Sequence, residues 1–193
     1  MANSQVHPQG WISLLIEPER EEQAKRMRAE RDRQYGNIYA EVATDERWVG
    51  DLGEIVFNSW LKHEGVQNFQ WVRDDAAGQP DFITGLGTRI GIKTVKRQVP
   101  PREDYTAQIT ARHAREPIDQ FFFMTYEITN RRMWLLGGRG RERFLDQARY
   151  YRAGEWVHPK YQVRQGHEIY NIEISKLVSP HEWLQSLPYG RFR

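Results

Sequence analysis

The chain contains no cysteine. That removes disulfides, thiolate nucleophiles and cysteine-ligated zinc in one step, and it agrees with a reducing, cytoplasmic location. No run of about eighteen apolar residues exists, so no membrane partner is expected. Met1 to Gly10 is polar and lacks the apolar core of a secretion signal. The six histidines are scattered, with no His-x-x-x-His pair, which argues against a histidine zinc site. There is no Gly-x-x-x-x-Gly-Lys-Ser/Thr loop for a nucleotide and no Gly-x-Ser-x-Gly elbow for a serine nucleophile. Internal repeats and low-complexity tracts are absent. A large excess of one charge is missing too: 28 Lys and Arg face 26 Asp and Glu, a formal net charge of +2. So small a sum neither demands nor excludes nucleic acid, and local clusters decide.

What is present fits one hydrophobic core, since 193 residues are enough for one and few for two. Seven tryptophans and nine tyrosines are chiefly packing material. Glu17 to Gln34 reads as a solvated helix of alternating charges, with an arm for a DNA backbone or a partner subunit as the sharper alternative. A second helix is predicted from Asp45 to His63, with Thr44 as N-cap, Asp45 and Glu46 in the first turn, and Gly65 closing it. Trp48, Leu52, Ile55, Val56 and Ser59 give it a buried face, and Asp51, Glu54 and Asn58 line the neighbouring one. Strands follow at Phe69–Val72, Asp81–Thr84, Thr88–Arg97, Asp119–Ile128, Arg132–Leu136 and Tyr170–Ile174. Between them lie a loop at Asp74–Gly78 and a short helix at Glu142–Tyr151. Pro180–Leu187 is a last helical turn or two, and Ala107–Ala111 fits strand or helix equally. The order suggests a mixed α/β protein with a central mixed sheet and an N-terminal helical extension. The division is 1–43 for the arm and charged helix, and 44–193 for the main domain.

The chemistry concentrates at Gln79-Pro80-Asp81-Phe82 and Arg89-Ile90-Gly91-Ile92-Lys93-Thr94-Val95-Lys96-Arg97. Alternation along the second strand points Ile90, Ile92 and Thr94 to a core, and Arg89, Gly91, Lys93, Val95 and Arg97 the other way. The short turn Gly85-Leu86-Gly87 brings Asp81 alongside. A hard cation such as Mg²⁺ takes carboxylate oxygens, polarises a phosphate and activates water. A lysine beside it can orient that water or stabilise charge on the phosphorane. Glu54, in Asp51-Leu52-Gly53-Glu54-Ile55-Val56-Phe57, is the natural source of a third group, with Gly53 allowing close packing.

Gly53-Glu54-Ile55-Val56-Phe57, Pro80-Asp81-Phe82 and Ile90-Gly91-Ile92-Lys93-Thr94 together resemble the PD-(D/E)XK nuclease superfamily. Asp119–Phe123, Arg132–Gly137, Gly154-Glu155 and Tyr170–Leu177 are similar to its small bacterial and phage members. The resemblance covers about residues 45–177. It implies a restriction-endonuclease-like αβββαβ core and Mg²⁺-dependent DNA hydrolysis, with Mn²⁺ as substitute. Carried over, Asp81 is the motif aspartate, Lys93 the motif lysine and Glu54 the helix acid, with the Ile92 carbonyl as a further metal ligand. Gly91 stands where the family has Asp or Glu. Three accounts stay open: a mutated form of an active enzyme, a natural pseudo-nuclease that binds DNA without cutting, or a carboxylate supplied from elsewhere, with Glu46, Glu103 and Asp104 as candidates.

Three basic clusters are candidate DNA contacts, with ordinary solvated loops as the alternative for each. Lys96 and Arg97 lie in the first, with Lys93 and Arg102 beside them. Arg112, His113 and Arg115 form the second. Arg139 and Arg141, in Gly137-Gly138-Arg139-Gly140-Arg141, form the third, where glycine and guanidinium suit phosphate approach. Gln147 and Tyr151 match a Gln-x-x-x-Tyr pattern of some exonuclease relatives, although ordinary packing explains them as well. A homodimer, with two sites meeting two strands, is the candidate assembly, and the apolar patch Trp11–Ile16 is a candidate contact for it.

Overall fold

Alternating side chains along the longest strands put one apolar row on each side of a single sheet, and each row builds its own core. The computed structural model describes residues 4–35, 46–73 and 78–188. In chain order the elements are β1 (Ser4–Val6), β2 (Ile12–Leu15), α1 (Pro18–Tyr35), α2 (Trp48–His63), β3 (Phe69–Trp71), β4 (Phe82–Thr84), β5 (Arg89–Arg97), β6 (Thr106–Thr110), β7 (Gln120–Glu127), β8 (Arg132–Gly140), α3 (Arg141–Gln147), β9 (Arg149–Tyr151), β10 (Trp156–His158), β11 (Tyr161–Gln162), β12 (Ile169–Glu173) and α4 (Pro180–Ser186). The main sheet has seven strands in the order β1-β2-β8-β7-β5-β4-β3. β5 and β7 run parallel, and their neighbours are antiparallel. The α/β class with a central mixed sheet therefore agrees with the sequence.

On one face Ile90 and Ile92 of β5, Phe122 and Met124 of β7, and Leu135 of β8 pack against Leu52, Ile55, Val56, Phe57 and Trp60 of α2 and Trp183 of α4. On the other, Phe121 and Phe123 of β7 meet Ala107 and Ile109 of β6, Phe144 of α3 and Ile172 of β12. A small sheet in the order β6-β12-β9 supplies that second cover. Burying each large apolar side chain contributes roughly 1.5–3 kcal/mol before entropy is counted. Gly53 lets α2 lie directly on β5, since a Cβ there would come within 1.9 Å of Thr94 Oγ1.

Four readings change. The αβββαβ core that the resemblance implies has a helix in the crossover between β5 and β7, where Ala107–Ala111 fits strand or helix equally; the chain forms β6 and a single 3-10 turn at His113–Arg115. Pro100-Pro101 breaks any helix leaving β5, and the small sheet gives the parallel pair its cover on that side. The helix near Glu142 stops at Gln147, and Arg149–Tyr151 is strand β9 paired with β12. Gln147 and Tyr151 are thus not one helical turn apart; adjacent tyrosines favour a strand. The patch Trp11–Ile16 is no docking surface, because β2 pairs with β8 and Trp11, Ile12, Leu14 and Ile16 are core, leaving Leu15 exposed. Nor are Gly137 and Gly138 open to a phosphate. A Cβ on Gly137 would sit 2.0 Å from the Val178 carbonyl oxygen, and one on Gly138 would sit 2.3 Å from Trp183 Nε1.

The proposed cap Thr44, the Asp45 start of the second helix, the 43/44 division and Asp74–Ala77 lie outside the described residues. Among described residues no helix is long and apolar enough to cross a membrane.

Candidate active site

β4 runs beside β5 only as far as Phe82 opposite Ile90, with the Asp81 N–H donating to the Ile90 carbonyl at 2.9 Å. Beyond that point the Ile92 N–H needs another acceptor. Asp81 provides it: Oδ2 accepts the Ile92 N–H at 2.5 Å. The aspartate that the short hairpin places beside β5 is therefore anchored to the backbone of the residue preceding Lys93.

Asp81 is not a comfortable carboxylate. Burial raises its pKa to about 7, the negative charge of Glu54 adds to the rise, and Lys93, the Ile92 N–H and Arg31 oppose it. The same set of interactions brings three of the sequence-derived residues together: Asp81 from the head of β4, Glu54 from α2 and Lys93 from β5. The Lys93 ammonium makes no hydrogen bond or ion pair among the described residues. Its charge acts on both Asp81 and His113.

Glu54 reaches the corner in firm company. Arg31 of α1 donates from Nη1 to Oε1 at 2.8 Å and from Nη2 to Oε2 at 2.9 Å. The Trp71 indole N–H donates to Oε2 at 2.9 Å. One turn earlier on α2, Asp51 is fully buried and accepts from Arg28 Nε at 2.7 Å and from Arg31 Nη1 at 2.5 Å. Burial raises the Asp51 pKa, while Arg28 and Arg31 pull against that rise. The α1 helix, read from sequence as solvated, thus has a paired face. Arg31 is only 6% exposed, and its charge explains why Asp51 and Glu54 can be buried at all.

Position 91 bears out the alternation and its gap. A Cβ on Gly91 would point at the second core, 3.3 Å from Ile118 Cγ2 and 3.5 Å from Phe121 Cδ1. The backbone there is not left-handed, so it does not demand glycine; what the position lacks is a carboxylate. The three proposed substitutes are engaged elsewhere: Glu46 with Lys96, Glu103 with Gln9, and Asp104 with Arg102 at 3.1 Å.

The proposed DNA-contacting residues have partners of their own. Lys96 pairs with Glu46. Arg139 donates to the Lys176 carbonyl at 2.8 Å and to Gln147 Oε1 at 2.5 Å. Arg141 holds the Ala114 carbonyl at 3.1 Å through Nε. Arg97 is exposed, with its guanidinium 5.5 Å from the Tyr105 ring centre.

Two contributors, Arg31 and Trp71, are not singled out from sequence, and His113 is read there only as part of a basic cluster. Arg31 and Trp71 fix Glu54. His113, held near Thr110 Oγ1 at 3.0 Å, sits close enough to Lys93 to feel its charge, and burial with that charge brings its pKa down to about 3. A signal for Arg31 exists: Arg28 and Arg31 are three residues apart, and so are Asp51 and Glu54, on two successive helices.

The donor chemistry fits a hard divalent cation in one respect and resists it in another. Two neighbouring carboxylates, one driven up by the other and by burial, are what a cation relieves. Against this, both Glu54 oxygens already accept from Arg31, and no group of three or more His, Asp or Glu among the described residues is arranged to hold a metal. Asp81 fits as the leading ligand, with Glu54 as the second. No protein-family model matches the sequence, and a comparison with curated proteins finds no match.

Proposed function

We propose that this chain is a Mg²⁺-dependent deoxyribonuclease, with Mn²⁺ able to substitute, that hydrolyses phosphodiester bonds at the corner formed by Asp81, Glu54 and Lys93. One observation carries the reading. Asp81 is desolvated and raised to about 7 within reach of both the Glu54 and the Lys93 charges. Strongly perturbed carboxylates beside a lysine concentrate at functional sites, because fold stability alone would select against them.

Asp81 and Glu54 would hold the cation, with the Ile92 carbonyl as a further oxygen. When bound, the cation would polarise the phosphate and make water a better nucleophile. Lys93 offers its ammonium to the charge that develops on the phosphate oxygens. The Ile92 N–H fixes Asp81 Oδ2, so one carboxylate oxygen is anchored. Trp71 fixes the rotamer of Glu54. The restriction-endonuclease-like core belongs to the same proposal, supported by the order α2, β3, β4, β5 and then the parallel β7.

A second reading has its own observation: Gly91 removes a ligand at the usual place, which favours a protein that binds DNA without cutting it. Plasmid DNA in Mg²⁺ or Mn²⁺, with the native chain, Gly91→Glu and Asp81→Asn, tests both. The room beside Gly91 admits a Cβ if Ile118 yields by a few tenths of an ångström. Cutting by the native chain or by Gly91→Glu, lost in Asp81→Asn, supports the nuclease. DNA retention with no cutting by any variant supports the second reading. Neither cutting nor binding ends both.

A further inference from the structure

We propose that Arg31 is an internal cation that competes with the divalent metal for Glu54, so that the metal binds only as Arg31 withdraws to Asp51. This rests on the proposed cation site and adds a residue from α1 to it.

Glu54 has two oxygens, and the Arg31 guanidinium takes both, at 2.8 and 2.9 Å, while Trp71 takes the second lone pair of Oε2. A small divalent ion wants a carboxylate oxygen at close range and would stand against a guanidinium of the same sign. Glu54 can therefore serve one of them fully. Withdrawal needs somewhere for Arg31 to go, since an unpaired buried guanidinium is costly. The structure offers that place: Nη1 of Arg31 already donates to Asp51 Oδ1 at 2.5 Å while it donates to Glu54. The move therefore breaks bonds to Glu54 while keeping one to Asp51. Asp51 is held in readiness by Arg28, through Nε at 2.7 Å and Nη2 at 2.9 Å. The Arg31 charge also acts on Asp81, which places it within the electrostatic reach of both carboxylates of the corner.

A merely structural arginine would make the site worse when removed. A competing one makes it better. Calorimetric titration with Mn²⁺ of the whole chain, of Arg31→Gln and of Asp81→Asn separates the two. Arg31→Gln should bind Mn²⁺ about tenfold or more tightly than the native chain, within the usual range of coupling between two sites, and Asp81→Asn should lose binding. Affinity in folded Arg31→Gln that is unchanged or weaker overturns the inference and leaves the cation site standing if Asp81→Asn still loses binding. Binding that is absent everywhere, or indifferent to Asp81→Asn, overturns the cation site and the inference with it.

Should Arg31→Gln fail to fold, the native chain answers by itself. The guanidinium N–H resonances of Arg31 and the Trp71 indole N–H resonance are followed during Mg²⁺ titration. Loss of Arg31 protection together with a shift of Trp71 supports displacement. An Arg31 signal that persists unchanged at saturating Mg²⁺ overturns it.

Discussion

Two aspartates flank β5, and each accepts a backbone N–H from it, yet their states are opposite. Asp119 takes the Arg89 N–H at 2.8 Å and closes a two-point pair with the Arg89 guanidinium at 3.0 and 2.8 Å. Its pKa falls, chiefly through that side-chain hydrogen bonding. Asp81 takes the Ile92 N–H in the same manner, but its pKa rises to about 7 because burial and Glu54 outweigh Lys93. The shared backbone bond cannot be the source of the difference. What separates them is solvent and the nearest charge: Asp119 is partly exposed and holds a guanidinium, while burial and another carboxylate act on Asp81. One aspartate closes a structure, and the other keeps a charge in an unfavourable place.

Exchange to asparagine should therefore have opposite effects at the two sites. At pH 8 with chelator present, Asp81→Asn should raise stability on the order of 2–3 kcal/mol, since the amide oxygen keeps the Ile92 N–H and sheds the buried charge. Urea unfolding measures it, and a loss of stability would break the comparison. The pH dependence has a definite sign. The folded state holds the Asp81 proton more tightly than the unfolded chain, so this contribution is fully present below the ordinary carboxylate value of 3.8 and is lost as pH rises through about 7. Asp81→Asn should remove that downward slope.

Asp119→Asn should act the other way and less strongly, lowering stability by about 1 kcal/mol at neutral pH, because the pair with Arg89 is partly exposed. A thermal melt would register the shift. Smallest of all, Lys93→Met should push the Asp81 pKa further up by removing a charge that opposes the rise. Carboxyl carbon NMR through a pH titration reads this directly, and a downward movement would mean that Lys93 does not face Asp81.

The legible part of this site follows period-two geometry. Ile90, Gly91, Ile92 and Lys93 alternate on a nine-residue strand, and a short turn fixes where Asp81 falls beside it. Helical periodicity found Glu54 in the same way. The matched spacing of Arg28 and Arg31 with Asp51 and Glu54 hinted at Arg31, but the pairing itself is set by how α1 docks on α2, a matter of two surfaces rather than of one repeat. β2 was hidden because a short apolar run looks alike in a core strand and in a surface patch. The choice between strand and helix at Ala107–Ala111 is made by the small sheet, whose strands come from 106–110, 149–151 and 169–173 and cannot be paired from local pattern.

Gly53 adds a consequence of its own. Thr94 Oγ1 lies where its Cβ would be, and that hydroxyl is itself buried without a partner among the described residues. Glu54 is the next residue along the helix. Any side chain at 53 would prise α2 off the sheet and carry Glu54 away from Asp81 without touching either carboxylate. The strength of their repulsion is thus tuned by a carbon that Gly53 lacks, in space that Thr94 takes instead. The corner works like a calliper whose setting is one absent carbon, and a chain that kept every charged group but filled that space would measure a different gap.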